Sequence, residues 1–249
     1  MKTTLKTVRT GSVGNCYIVS CDDHHLLLDV GVHYKEIHKA LEYDIIGIDA
    51  ALVTHVHGDH ISGVKYWLTM GVDVLSNKQV VEAYPGVEFI RAGYVRNVHG
   101  WKVIPFVVPH DATENYGYLI KLLNGEQLLY ATDFAYIPKT FKTYKIEHFL
   151  LECNYMDYDE VEGSNDAFEK RDHVIHGHAP LTVVKDFLEA NMTDAMKTVT
   201  LCHLSRENAD QKKILEEIKS IVPENVTVTI AAKGNEVILA DDGEGETDE

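Results

Sequence analysis

His55-Val56-His57-Gly58-Asp59-His60 packs three histidines and one aspartate into six residues, directly after the apolar run Ala51-Leu52-Val53-Thr54. Composition alone gives the pattern H-x-H-x-D-H roughly 0.003 times in a chain with this residue content. The apolar run reads as a buried strand. His55 and His57 leave its end together, while Asp59 and His60 open a helix continued by Ile61, Val64 and Leu68. Imidazole nitrogen and carboxylate oxygen suit zinc, and also manganese or iron. The bland alternative is a surface histidine cluster in which Asp59 caps a helix.

Further donors outside the motif weigh against that alternative. His110 follows the apolar run Val107-Val108, Asp133 follows Leu129-Tyr130-Ala131, and His203 follows Leu201-Cys202. Each sits where a loop at a sheet edge presents side chains. A lone histidine after a strand is more often a cap or a surface residue; three such donors beside the cluster reverse the odds. The residues around them alternate strand-like and helix-like patterns in both halves. Strand-rich stretches fall in 2–30 and 87–129, including Val87-Glu88-Phe89-Ile90-Arg91-Ala92. Helical spacing marks Ile37 and Leu41, then Leu181, Val184 and Leu188, then Ile214, Ile218 and Ile221. So many consecutive strands favour two packed sheets with helices outside, a four-layer αββα sandwich of the α/β class, over one doubly wound sheet. Residues 1–240 read as one hydrolase-like domain and 241–249 as an acidic disordered tail.

Composition limits the partners. The chain has 249 residues with 45% hydrophobic and 25% charged content, ordinary for a globular protein. No apolar run reaches the roughly 18–20 residues of a membrane span, and the N-terminal segment lacks the apolar core of a signal peptide. The expectation is a cytoplasmic protein without membrane contact, whose four cysteines are reduced thiols. The net charge is −16. That acidity opposes metal-free binding to a phosphate backbone, but bound divalent cations reverse the sign locally.

With Asp29 in Leu26-Leu27-Leu28-Asp29-Val30-Gly31, the donors line up in the order of the metallo-β-lactamase-fold hydrolases, which the chain resembles from about residue 8 to 240. The resemblance implies an αββα sandwich with two divalent metal ions at the edge between its halves. It implies that His55, His57 and His110 hold the first ion. Asp59, His60 and His203 hold the second, Asp133 bridges both, and Asp29 orients a ligand from behind. Asp111 is a second candidate for that orienting task. Smaller motifs, Gly11-Ser12-Val13-Gly14-Asn15, Leu151-Glu152-Cys153-Asn154-Tyr155 and His203-Leu204-Ser205-Arg206-Glu207-Asn208, resemble the YycJ/WalJ-type branch, associated with DNA exonuclease activity. Two segments depart from that branch. Val13 stands where its pattern has Ser, and Gly177-His178-Ala179-Pro180 stands where it has a GHLSN-like segment. His178 also resembles the SGHA histidine of β-CASP nucleases, which contacts phosphate.

The expected reaction is hydrolysis by a metal-bridging hydroxide, with phosphodiesters of nucleic acid as substrate and DNA cut from its 5′ end. Asp59 and His178 are the candidate catalytic residues, Asp59 orienting the hydroxide and His178 binding phosphate or protonating the leaving oxygen. Asn15, Ser205, Arg206 and Asn208 are the candidate substrate contacts. Each also has a plainer reading: Asn15 as a turn residue, Ser205 as the cap of the helix that follows, the others as solvated residues. His173 and His176 read as loop histidines, and Cys202 as a packed thiol. A groove lined by Lys65, Lys139, Lys142, Lys145 or Arg206 and leading to the metals would favour nucleic acid. A closed apolar pocket would favour the alternative, a small thioester, lactone, lactam or cyclic phosphodiester on the same centre. A scaffold that has lost turnover is disfavoured by the complete donor set.

Overall fold

The computed structural model describes residues 1–111, 114–158, 161, 175–206 and 208–241. The first half of the chain forms β1 (Lys2–Arg9), β2 (Cys16–Cys21), β3 (His24–Leu28), β4 (Ile48–Leu52), β5 (Asp73–Ser76) and β6 (Glu88–Phe89). The second half forms β7 (Arg96–Val98), β8 (Trp101–Val108), β9 (Asn115–Lys121), β10 (Gln127–Ala131), β11 (His148–Glu152), β12 (Thr198–Cys202) and β13 (Thr227–Ile230). The last strand, β14 (Glu236–Asp241), returns to pair with β1, setting Asp241 opposite Lys2. Asp241 therefore belongs to a strand, and the tail from 242 onward lies outside the described residues.

Among the described residues the strands make two seven-stranded sheets, ordered β14-β1-β2-β3-β4-β5-β6 and β7-β8-β9-β10-β11-β12-β13. In that order each sheet has three antiparallel pairings followed by three parallel ones. The sheets face each other across a shared core that includes Tyr17, Leu26, Leu28 and Leu52 from one and Trp101, Tyr118, Tyr130 and Leu150 from the other. Successive side chains on a strand point to opposite faces. Leu27 accordingly packs outward with Ile37, Val64 and Trp67, and Phe149 and Leu151 pack outward with Val184, Leu188, Ile214 and Ile218. The central strands are covered on both faces, which is why they read as continuous apolar runs.

The helices supply the outer layers: α1 (Tyr34–Ala40), α2 (Gly58–Ile61), α3 (Val64–Thr69) and α4 (Lys78–Ala83) on the first sheet, α5 (Leu181–Asn191) and α6 (Gln211–Ile221) on the second. The expected αββα sandwich is what the chain forms. Pro180 stands immediately before α5 as its cap, a position that needs no N–H donor. Two local expectations change. Asp210, not Ser205, caps α6, accepting from the backbone N–H of Lys212 and Lys213. The strand expected over 87–92 is reduced to Glu88–Phe89, because the chain here crosses from the edge of one sheet to the edge of the other. No described helix is long and apolar enough to cross a membrane.

Candidate metal centre

The centre is built at strand ends. Asp29 follows β3, His55 lies three residues past β4, Asp133 two past β10 and His203 one past β12. Asp29, Asp133 and His203 all have left-handed backbone, with φ of 56°, 53° and 52°. Such a conformation costs a residue with a Cβ about 1–2 kcal/mol. It turns each chain sharply at the sheet edge, and these turns converge on one cluster.

Three overlapping sets of donor atoms result: His55, His57, His110 and Asp133 in the first, Asp59, His60, Asp133 and His203 in the second, and Asp133, Glu152, His178 and His203 in a third that shares two members with the second. In the first, His57 Nδ1 lies 3.0 Å from His55 Nε2 and 3.3 Å from His110 Nε2, and His55 Nε2 lies 3.7 Å from Asp133 Oδ2. In the second, His60 Nε2 lies 3.2 Å from Asp133 Oδ2 and 3.5 Å from Asp59 Oδ2. His203 Nε2 lies 3.5 Å from Asp133 Oδ1 and 3.9 Å from Asp59 Oδ2. Donors about 2.0–2.2 Å from a tetrahedral ion stand roughly 3.3–3.6 Å apart, so both spacings fit a small divalent cation. His203 Nε2 is buried and makes no hydrogen bond among the described residues, which an ion at this position would remedy.

The far nitrogen of each buried imidazole is held. His60 Nδ1 donates to Asp29 at 2.8 Å, His203 Nδ1 to Glu152 at 2.9 Å, and His110 Nδ1 to the Gly177 carbonyl at 2.7 Å. Thr54 Oγ1 gives its single proton to Asp29 at 3.1 Å and so accepts from His55 Nδ1 at 2.9 Å. In all four rings Nε2 is the nitrogen that faces the cluster and can give its lone pair to a cation. Asp29 is itself anchored by the Tyr130 hydroxyl at 2.5 Å and the Thr54 N–H at 2.8 Å.

Charge is concentrated in the second set. Burial pushes His203 down, but Asp133, Asp59 and Glu152 outweigh it and raise the imidazole to about 10. His60 is likewise raised by Asp133 and Asp29 against the effect of burial. His55 and His110 are lowered, chiefly by burial, which favours the neutral form a ligand needs. The carboxylates that hold extra protons in the second set are the ones that would attract a cation in their place.

The remaining candidates divide. Asn15 is buried in the centre: its Oδ1 accepts from the Gly11 N–H to close the turn, and its Nδ2 lies 3.0 Å from His60 Nε2 and 3.3 Å from Asp59 Oδ2. His178 is also in the cluster. Its Nδ1 donates to Glu152 at 2.6 Å, and its ring stacks on His203 with centroids 5.2 Å apart. Asp111 does not orient His110 from behind, since Gly177 holds Nδ1 and the Asp111 carboxylate is 3.7 Å from Nε2 instead. Ser205 Oγ accepts from the Asn208 N–H at 3.1 Å, so these two close a turn, while Arg206 lines an adjacent cleft. His173 lies outside the described residues, and Cys202 is a buried thiol in the core between the sheets. Sequence reading missed Glu152, whose carboxylate serves both His178 and His203. Its signal is a charged residue closing the buried strand His148–Glu152, since a carboxylate is almost never fully buried unless paired.

The chain belongs to the metallo-beta-lactamase superfamily, whose model matches residues 9–151. Family and donor set together make it a metal-dependent hydrolase. It is 28% identical over 220 residues to the exodeoxyribonuclease YycJ of Bacillus anthracis, covering 80% of this chain and 81% of that one. It is 23% identical over 222 residues to the exodeoxyribonuclease WalJ of Streptococcus pneumoniae serotype 2 (strain D39), covering 80% of each. In fold it is similar to the crystal structure of YhfI, a metallo-beta-lactamase fold protein from Bacillus subtilis, with a TM-score of 0.72 and 16% identity over 96% of this chain and 100% of that one.

Proposed function

We propose that the chain is a two-metal phosphodiesterase acting on nucleic acid, cutting DNA from its 5′ end. The observation that carries this reading is the likeness, across 80% of the chain, to two proteins named exodeoxyribonucleases. In this reading His55, His57 and His110 hold one cation, and Asp59, His60 and His203 the other. Asp133, a member of both sets, would serve both. Zinc or manganese suits these donors best, with iron also compatible. When bound, such a pair activates water and neutralises charge on the phosphoryl oxygens.

The side chains divide the remaining work. Asp59 orients the attacking water and takes its proton. Glu152 fixes the His178 ring through Nδ1, so that Nε2 meets a phosphoryl oxygen or protonates the leaving one. Asn15 steadies Asp59 from the Gly11–Asn15 turn. The test is hydrolysis of 5′-labelled single- and double-stranded DNA and RNA with Mn²⁺, Mg²⁺ or Zn²⁺, beside Asp59→Ala. Metal-dependent cleavage lost in the variant is the expected result, and the product ladder gives polarity. Absence of cleavage by protein carrying two ions would refute the reading. The small thioester, lactone, lactam and cyclic phosphodiester substrates would then be tested on the same centre.

A further inference from the structure

Two clefts open beside the loops that carry the donors, and their linings differ in charge. One, of about 270 Å³, is bounded by Arg9, Thr10, Val13, Leu204, Arg206 and Lys233 among others. It lies next to the loops that carry the second donor set. Thr10 Oγ1 accepts from the His203 N–H at 2.8 Å, Leu204 is the next residue, and Val13 belongs to the turn whose Asn15 reaches Asp59. The other, of about 360 Å³, starts three residues past Asp133 and is lined by Tyr136, Lys139, Asp186 and Phe187 among others.

The first lining contains three cations and no carboxylate; the second contains one of each. On a chain of net charge −16, the first is a local reversal of sign. Glu36 accepts from Arg9 at 2.7 Å and from Lys233 at 2.6 Å, but it lies outside that lining, and one carboxylate leaves one of two positive charges unbalanced. A purely structural role, tying α1 to the end of β1 and to the turn between β13 and β14, accounts for the Glu36 contacts of Arg9 and Lys233. It does not account for Arg206, which is exposed and makes no ion pair among the described residues. Arg9 Nε is in addition buried without an acceptor among the described residues. Val13, 53% exposed at the same cleft, offers an apolar contact to a sugar or base.

We propose that the nucleic-acid backbone runs from the metal centre over the Gly11–Asn15 turn into the cleft of Arg9, Arg206 and Lys233, with Arg206 and Lys233 each meeting a phosphate. This rests on the nuclease reading above and adds the route of the strand. Single-strand binders combine a positive groove along the backbone with side chains that contact the bases.

The test is equilibrium binding of a phosphorothioate single strand about 12 nucleotides long, which resists cleavage, to the metal-loaded protein across a salt series. Each phosphate contact contributes about −0.7 to the slope of log affinity against log salt for a single strand. Arg206→Gln and Lys233→Gln are each expected to make the slope shallower by that amount and to weaken binding equally on every sequence tried. Wild-type slope and affinity in both variants would overturn the route, as would a slope change confined to Lys139→Gln, which would put the strand in the other cleft. Failure of the wild-type protein to bind or cut any strand would instead sink the nuclease reading, and the route with it.

Discussion

Glu152 Oε1 accepts hydrogen bonds from two histidines at once, His203 Nδ1 at 2.9 Å and His178 Nδ1 at 2.6 Å. The carboxylate is fully buried, and its other oxygen accepts from the Phe134 N–H at 3.0 Å. Its charge makes His203 a stronger donor toward the cluster. Glu152→Gln keeps the shape and removes the charge. Loss of such a partner typically costs about 10–100-fold in metal affinity. Chelator competition should show that loss, and an unchanged affinity would refute the role of Glu152.

Gly31 has no room for a side chain. A Cβ there would overlap the carbonyl oxygen of Asp59, which also accepts from the Asn15 N–H at 2.7 Å. Gly31→Ala must therefore push the metal-binding motif away from the Asp29 loop. Overpacking of this kind costs about 1–3 kcal/mol, and more where backbone meets backbone. Urea unfolding is expected to show at least that loss, together with reduced metal content.

Metal-free protein should lose stability in alkali. His203 is raised in the folded state to about 10, above its unfolded value of about 6.5. A raised group contributes its full stabilisation below the unfolded value and loses it as pH climbs through the folded one. The window therefore runs from about pH 6.5 to about 10. His203→Gln should flatten the stability profile of chelated protein across that window, measured by thermal unfolding. The same protons must leave before a cation binds at Nε2, so calorimetry in buffers of differing ionisation enthalpy should show proton release.

Glu36 gives the opposite pH sign at a separate place. Burial acts to raise its carboxyl, but hydrogen bonds from Lys233 and Arg9 outweigh that and hold it below the ordinary range. A lowered group stabilises above its unfolded value of about 4.3 and loses that contribution as pH falls through the folded value. Glu36→Gln should cost about 0.5–1 kcal/mol at neutral pH. The gap should close below about pH 4, as read from paired denaturation curves.

Much of this centre is legible in the chain because its donors are rare residue types at strand ends. His55 to His60 stand out by density alone, and His110, Asp133 and His203 by following apolar runs. What holds those rings is less visible. Gly177 contributes a carbonyl oxygen, which every residue has, so no side chain marks it. Thr54 reads as an ordinary strand residue until its hydroxyl is seen between Asp29 and His55. The sheets show the same limit. Leu26, Leu27 and Leu28 read as a short strand, but nothing local pairs Lys2 with Asp241 from the far end of the chain. Such closure depends on tertiary packing and leaves no pattern in either strand alone.

The two sheets follow the same run of pairings, and the donors follow strands of both. His55, His57, Asp59 and His60 come from the first sheet's side, and His110, Asp133 and His203 from the second's. Ions gripped from both sides would act as rivets through the sandwich. Stripping them would then do more than empty a site: it would cut a tie between two layers. Hydrogen exchange should then quicken at the strand ends of both sheets together, and the layers should slide before any single loop frays.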